Sequence, residues 1–152
     1  MPILPLTDAE LRARLLDHIH TVRSRQGSVF SALVIPDLAA SSLADMSTTL
    51  SFTAPHAARG QDGCMDPGLV AAMMDNSLGM LAISQMGDGS FTPTVDLHIS
   101  YYEGIPVDVP LRIDVKKERQ TSRCIFLSGR ISREDTPDVT LAIATGSFYI
   151  TR

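Results

Sequence analysis

Residues Gly60 to Gln85 read GQDGCMDPGLVAAMMDNSLGMLAISQ. Glycines make the first part a loop, Asp66 is placed to cap a helix, and Pro67 takes the favoured first helical position. Beyond Pro67 the run is apolar almost all round: Leu69 to Met74, Leu78 and Met80 to Ile83 leave no broad polar face. A helix hydrophobic on every side belongs inside a protein. At about 18–20 residues and roughly 1.5 Å each it would be long enough to invite a membrane reading. However, Asp75, Asn76 and Ser77 sit at its middle, where a bilayer penalises them heavily. The stretch predicts a buried helix of a soluble protein with one polar notch.

Burying a carboxylate is costly unless it is paired, hydrogen-bonded or open to a cleft. At helical spacing Asp75 shares a face with Ala71, Ala72, Gly79 and Ala82, small residues that leave room for a ligand or another chain. Two readings stand side by side: Asp75 bonds a neighbouring strand or loop, or it is a working acid in a cleft.

The chain has 152 residues, the size of one domain with a proper core. A formal net charge of −4 gives no basic footprint for nucleic acid. Cys64 and Cys124 form no metal or redox motif, and no zinc-ligand spacing is present. Two free thiols fit a reducing compartment, and the N-terminal MPILPLTDAE lacks the pattern of a secretion signal, so a cytoplasmic location is expected.

Around the central stretch, Thr7-Asp8-Ala9-Glu10 opens an N-terminal helix as a capping box. Leu11, Leu15, His18 or Ile19, and Val22 recur at helical spacing until Gly27; His18 and His20 read as solvated. Val29 to Ile35 reads as a short strand or a packed loop broken by Pro36. Met46, Thr48, Leu50 and Phe52 alternate with Ser47, Thr49, Ser51 and Thr53 as a half-buried strand. After the Gly87-Asp88-Gly89 stop, the second half is all strand. Val95, Leu97, Ile99 and Tyr101 share one face; Val107 to Val115 alternates; Ile125 to Ile131 and Val139 to Ile150 follow. Short connections make these strands antiparallel neighbours. The sum is an α+β domain in which a sheet face and one helix bury each other. A helix this uniformly apolar needs more cover than one small sheet, so a dimer is expected.

A strand, a glycine loop, an apolar helix carrying an acid, and then TVDLHISYYEGIP (Thr94–Pro106) resemble the hotdog-fold thioesterases of the phenylacetic-acid-degradation (PaaI-like) family. The resemblance covers about Met46 to Ile150, most of the chain. In that family a His-Gly-Gly motif opens the helix and an acid follows nine positions after the His; nine from Asp66 is Asp75. The resemblance implies a hotdog fold, an antiparallel sheet wrapped around one long central helix, here with an extra N-terminal helix. Residues 1–152 then form one domain, with 1–45 as N-terminal helix and extension and 46–152 as the hotdog core.

It also implies hydrolysis of an acyl-CoA thioester to free acid and CoA, at sites between the subunits of a homodimer or a dimer of dimers. Asp75 would be general base or nucleophile, and the Gly68 N–H at the helix start would polarise the carbonyl. Asn76 and Ser77 would orient water, or only bond helix to strand. No cofactor is implied, coenzyme A being part of the substrate. Lys116, Lys117, Arg119 and Arg123 would meet its phosphates, or form a solvated turn. His56 would reach the cleft or stand idle in its loop; His98, Tyr101 and Tyr102 read as surface, interface or packing residues.

The chain departs from the family at the helix start. Asp66-Pro67-Gly68 stands for His-Gly-Gly, and Pro67 has no N–H to give. Asp66 puts negative charge near a developing oxyanion, and as a cap it competes for the same donors. The family's Asn falls at Gly60, while the loop glycine Gly63 is kept. Gln61 or the Gly68 N–H are the groups placed to substitute. A second function therefore stands beside hydrolysis: a hotdog protein that binds an acyl or aromatic ligand without turnover. A hydratase, third, wants a histidine soon after the helix acid, and none lies between Asp75 and His98.

Overall fold

The computed structural model describes residues 6–25, 28–87 and 91–151. Its helices are α1 (Asp8–Arg23), α2 (Val29–Val34) and α3 (Pro67–Ile83); its strands are β1 (Asp37–Ser42), β2 (Ser47–Thr53), β3 (Thr94–Tyr101), β4 (Pro110–Gln120), β5 (Cys124–Arg133) and β6 (Thr140–Tyr149). The strands form one sheet in the order β1-β2-β4-β5-β6-β3, every neighbour antiparallel. The sheet wraps around α3, the α+β arrangement the sequence predicts.

Local chemistry sets the helix ends. Thr7 Oγ1 accepts the Glu10 N–H at 3.2 Å and the Glu10 carboxylate accepts the Thr7 N–H at 2.8 Å, the expected capping box. Asp66 caps α3 and Pro67 follows it, also as expected. Burial then joins helix to sheet. Val70, Met73, Leu78 and Leu81 of α3 meet Leu50, Ile113, Val115, Leu127 and Phe148 in one core. Each such fully buried side chain contributes about 1.5–3 kcal/mol. The approach is close: a Cβ on Gly129 would stand 2.7 Å from Met74 Cε, and one on Gly146 would stand 3.0 Å from Leu78 Cδ1.

Several sequence expectations change. Val29–Val34 is a helix rather than a strand or loop, because a short apolar run carries no period that separates the two. Pro36 then forces extended backbone, and β1 follows as an edge strand that has no alternating pattern to betray it. Val107 and Val109 precede β4 instead of starting it: Asp108 has φ 59°, a left-handed turn that interrupts any strand. In β3 the pairing with β6 shifts between Thr94 and Asp96. This bulge leaves Val95 62% exposed and turns Thr94, in place of Val95, toward α3. Gly27 and the Asp88-Gly89 turn lie outside the described residues.

Candidate active site

Asp75 occupies the middle of α3, half-buried, and its Oδ1 accepts a 2.8 Å hydrogen bond from Thr94 Oγ1. It faces a slot of about 180 Å³. Asp75, Asn76, Gly79 and Ile83 of α3 form one wall; residues 91–94, Phe148 and His18 of α1 form the rest. Gly79 leaves its floor open to the Phe148 ring, whose Cε1 would stand 3.2 Å from any Cβ there.

The other residues of the polar notch divide. Asn76 lines the slot, with its Nδ2 donating to the Ala72 carbonyl at 2.9 Å. Ser77 is fully buried and donates to the Met73 carbonyl at 2.7 Å. Two residues on from Asp75 is about 200° around a helix, so Ser77 faces the core and cannot orient water in the slot. Its bond is to its own helix, as is that of Asn76, where a bond to a strand was the other expectation.

The helix start forms a second place. Asp66 Oδ1 accepts the Gly68 N–H at 2.8 Å and the Leu69 N–H at 3.4 Å, so the cap holds the donors an oxyanion would use. Tyr101 Oη donates to the Pro67 carbonyl at 2.8 Å. Burial and the Asp66 carboxylate raise the pKa of this phenol and keep it protonated. Asp62, Cys64, Pro67 and Tyr101 border a separate cavity of about 250 Å³. Gln61 is exposed in the loop and lines neither cavity. Gly63, at φ +86°, supplies the left-handed turn that brings the loop to the helix. Gly68 and Asp75 are seven residues apart, about 10 Å along the axis. Asp75 lines the slot, whereas Gly68 lines neither cavity.

The basic residues do not converge. Lys116 is exposed on the outer sheet face, while Lys117 points inward and donates to Gln85 Oε1 at 2.8 Å. Desolvation lowers the Lys117 pKa. Arg119 follows a bulge after Lys117 and is exposed, as is Arg123. Lys116 borders a cavity of about 570 Å³ with Arg112, Asp114 and Arg130. It is larger than the slot but lies on the sheet face turned away from α3, and Asp75 is not among its residues. His56 is exposed and pairs with Asp108 at 2.9 Å, away from the slot. His98 is exposed on β3, 3.3 Å from Ser100 Oγ.

His18 corrects the sequence reading most directly: it is a wall of the Asp75 slot, not a solvated residue. Burial lowers its pKa, the Arg25 charge adds to this and Asp17 opposes it, so the neutral imidazole is favoured. The signal was present at sequence level, where His18 shares the i+3 and i+7 spacing from Leu15 and Leu11 with the core face of α1.

An antiparallel sheet curled around one helix is a hotdog-type fold, here with an acid on the helix and a slot beside it. The E. coli PaaI protein from the phenylacetic acid degradation operon has this fold, with a TM-score of 0.74, 13% identity, and coverage of 93% of this chain and 96% of that one. A phenylacetic acid degradation-related protein from Ralstonia eutropha JMP134 superposes with a TM-score of 0.72 at 22% identity, over 87% of this chain and 98% of the other. A Streptococcus pneumoniae TIGR4 thioesterase-type protein, solved with coenzyme A, gives 0.72 at 16%, over 90% and 96%. No curated protein matches by sequence. Residues 67–140, from the start of α3 to the first residue of β6, match the family model of the Thioesterase superfamily. Among the described residues no helix is long and apolar enough to cross a membrane.

Proposed function

We propose that the protein hydrolyses an acyl-CoA thioester, with Asp75 as general base or nucleophile. The observation that carries this is the Asp75 carboxylate, fixed by Thr94 and facing an otherwise mostly apolar slot. As a base, Asp75 takes a proton from water while the water oxygen bonds to the thioester carbon. The tetrahedral oxyanion then collapses, the C–S bond breaks, and the thiolate leaves with the proton as CoA, releasing the free acid. The bound coenzyme A of the pneumococcal neighbour is consistent with such a substrate.

The acid and the oxyanion donors must lie within a few ångströms of one carbonyl, yet Asp75 and Gly68 of one chain are about 10 Å apart along α3. The helix start of a second copy therefore completes the site. The open edge at β3, with Val95 62% and Tyr102 58% exposed beside it, suits pairing with another β3 in a homodimer or a dimer of dimers. Free Cys64 and Cys124 fit a reducing cytoplasm.

Asp66 favours a second reading, a hotdog protein that binds acyl ligands silently, because its carboxylate occupies the Gly68 N–H. A thiol-release assay against short, medium, long and aromatic acyl-CoAs separates the two. Hydrolysis requires turnover of at least one member, with a loss of about 10²–10⁴ in Asp75→Asn. Undiminished turnover in that variant removes Asp75 from the mechanism. A raised melting temperature without turnover supports the silent binder.

A further inference from the structure

We infer that His18 is a specificity-determining residue that selects acyl groups carrying an uncharged hydrogen-bonding function, a hydroxyl or a keto oxygen, away from the thioester. The inference rests on Asp75 marking the reacting end of the slot.

The position of α1 is built, not incidental. Leu11, Leu15 and Ile19 are buried against the core, and Arg14 Nη1 donates to the Ser84 carbonyl at 3.3 Å and the Met86 carbonyl at 2.5 Å. Arg14 thereby ties α1 to the C-terminal end of α3. His18 is one turn further along α1 and enters the slot beside Ile83 and Gly79. Asp75, Gly79 and Ile83 are successive turns of α3, so this end lies about 6–12 Å from Asp75 along the axis.

Of the other polar side chains in the slot, Thr92 is almost fully buried, and Asp75 and Asn76 each use one atom within the protein. Asp75 accepts from Thr94, and Asn76 donates to Ala72. Gly79, Ile83, Phe91, Pro93 and Phe148 offer no polar side chain. The His18 imidazole has no hydrogen-bond partner among the described residues, although it is half-buried. A ligand that supplies a partner satisfies this group, whereas one presenting a methyl leaves it desolvated and unpaired. Charge narrows the class further. Burial favours the neutral imidazole, and Asp75 shares the slot, so a second carboxylate would meet repulsion, with no Lys or Arg among the lining residues to pair with it.

The test uses three CoA thioesters of matched length: hexanoyl, 6-hydroxyhexanoyl and adipoyl. Dissociation constants are measured by calorimetry on Asp75→Asn, which needs no turnover, and kcat/KM on the protein with Asp75 intact. The expected order is hydroxyhexanoyl above hexanoyl by about tenfold in both measurements, with adipoyl weakest in kcat/KM, where Asp75 is intact. His18→Leu should bring the hydroxyhexanoyl-to-hexanoyl ratio close to one, and His18→Gln should keep part of it. The readout is a ratio on one protein, so a partly unfolded fraction cancels. No preference with His18 intact, or an unchanged ratio in His18→Leu, overturns the inference. A His18-dependent preference in binding with no hydrolysis of any ester leaves the inference standing and removes the hydrolase reading. Failure of all three to bind removes both.

Discussion

Thr94 Oγ1 donates a 2.8 Å hydrogen bond to Asp75 Oδ1, tying the acid of α3 to the first residue of β3. The bond exists because a bulge at Val95 changes the phase of the strand, so the hydroxyl faces inward and the valine outward. It holds one carboxylate oxygen and directs the other into the slot. Replacing Thr94 with Val keeps the shape and removes the donor. Steady-state kinetics should show kcat reduced about tenfold, the scale of one hydrogen bond to a charged group, with KM changed less, and Thr94→Ser close to the parent. Equal kcat in Thr94→Val would show that Asp75 needs no such support.

Asp66 has two opposing roles. As N-cap it accepts the Gly68 and Leu69 N–H groups, and its removal in Asp66→Ala should cost about 1 kcal/mol in a urea melt. The same change frees the Gly68 donor for an oxyanion. Stability should fall while thioester turnover rises, and the pair Asp66→His with Pro67→Gly should raise turnover further. Loss of both stability and turnover would assign Asp66 to substrate binding.

Arg14 holds the chain just beyond α3 by donating to the carbonyls of Ser84, its C-cap, and Met86. Arg14→Met retains the aliphatic stem and loses both bonds, with an expected cost of about 1.5–3 kcal/mol. Chemical denaturation measures it; an unchanged midpoint at unchanged slope would mean that α1 is held by Leu11, Leu15 and Ile19 alone.

Asp114 links β2, β4 and β5 on the outer sheet face. Partial burial pushes its pKa up, but hydrogen bonds from Arg112 and Thr49 and the charges of Arg112 and Arg130 outweigh this and hold it below the ordinary value. The folded pKa is thus below the unfolded one, about 3.9. On acidification the unfolded chain takes up its proton first, so the stabilisation is complete above that pH and fades as pH falls through the folded value. The stability difference between the parent and Asp114→Asn should shrink below about pH 4. A difference constant from neutrality to the acid limb would contradict the coupling.

Gly104 and Cys64 meet so closely that a Cβ on Gly104 would overlap Cys64 Sγ. Gly104→Ala should destabilise by about 1–3 kcal/mol, as overpacking does. Adding Cys64→Gly should recover much of it, since the same Cβ would also lie 3.2 Å from Cys64 Cβ. A double-mutant cycle reads the coupling; simple additivity would place the two residues farther apart.

The sequence by itself determined the buried helix, its Asp66-Pro67 start, the alternation of β2, β4, β5 and β6, and the singular acid at Asp75, because each is a local signal of cap chemistry or period. It also carried the resemblance that fits the matched superfamily. Only the tertiary structure decided the rest. Val29–Val34 was ambiguous because six residues, five of them apolar, hold too little period to tell helix from strand. The inward turn of Thr94 depended on a bulge in its pairing with β6, and the engagement of Ser77 on its rotation toward the core. His18 joined Asp75 through the packing of α1 across α3, fifty-seven residues away along the chain. A slot is made where distant elements meet, and such a meeting leaves no period in either segment.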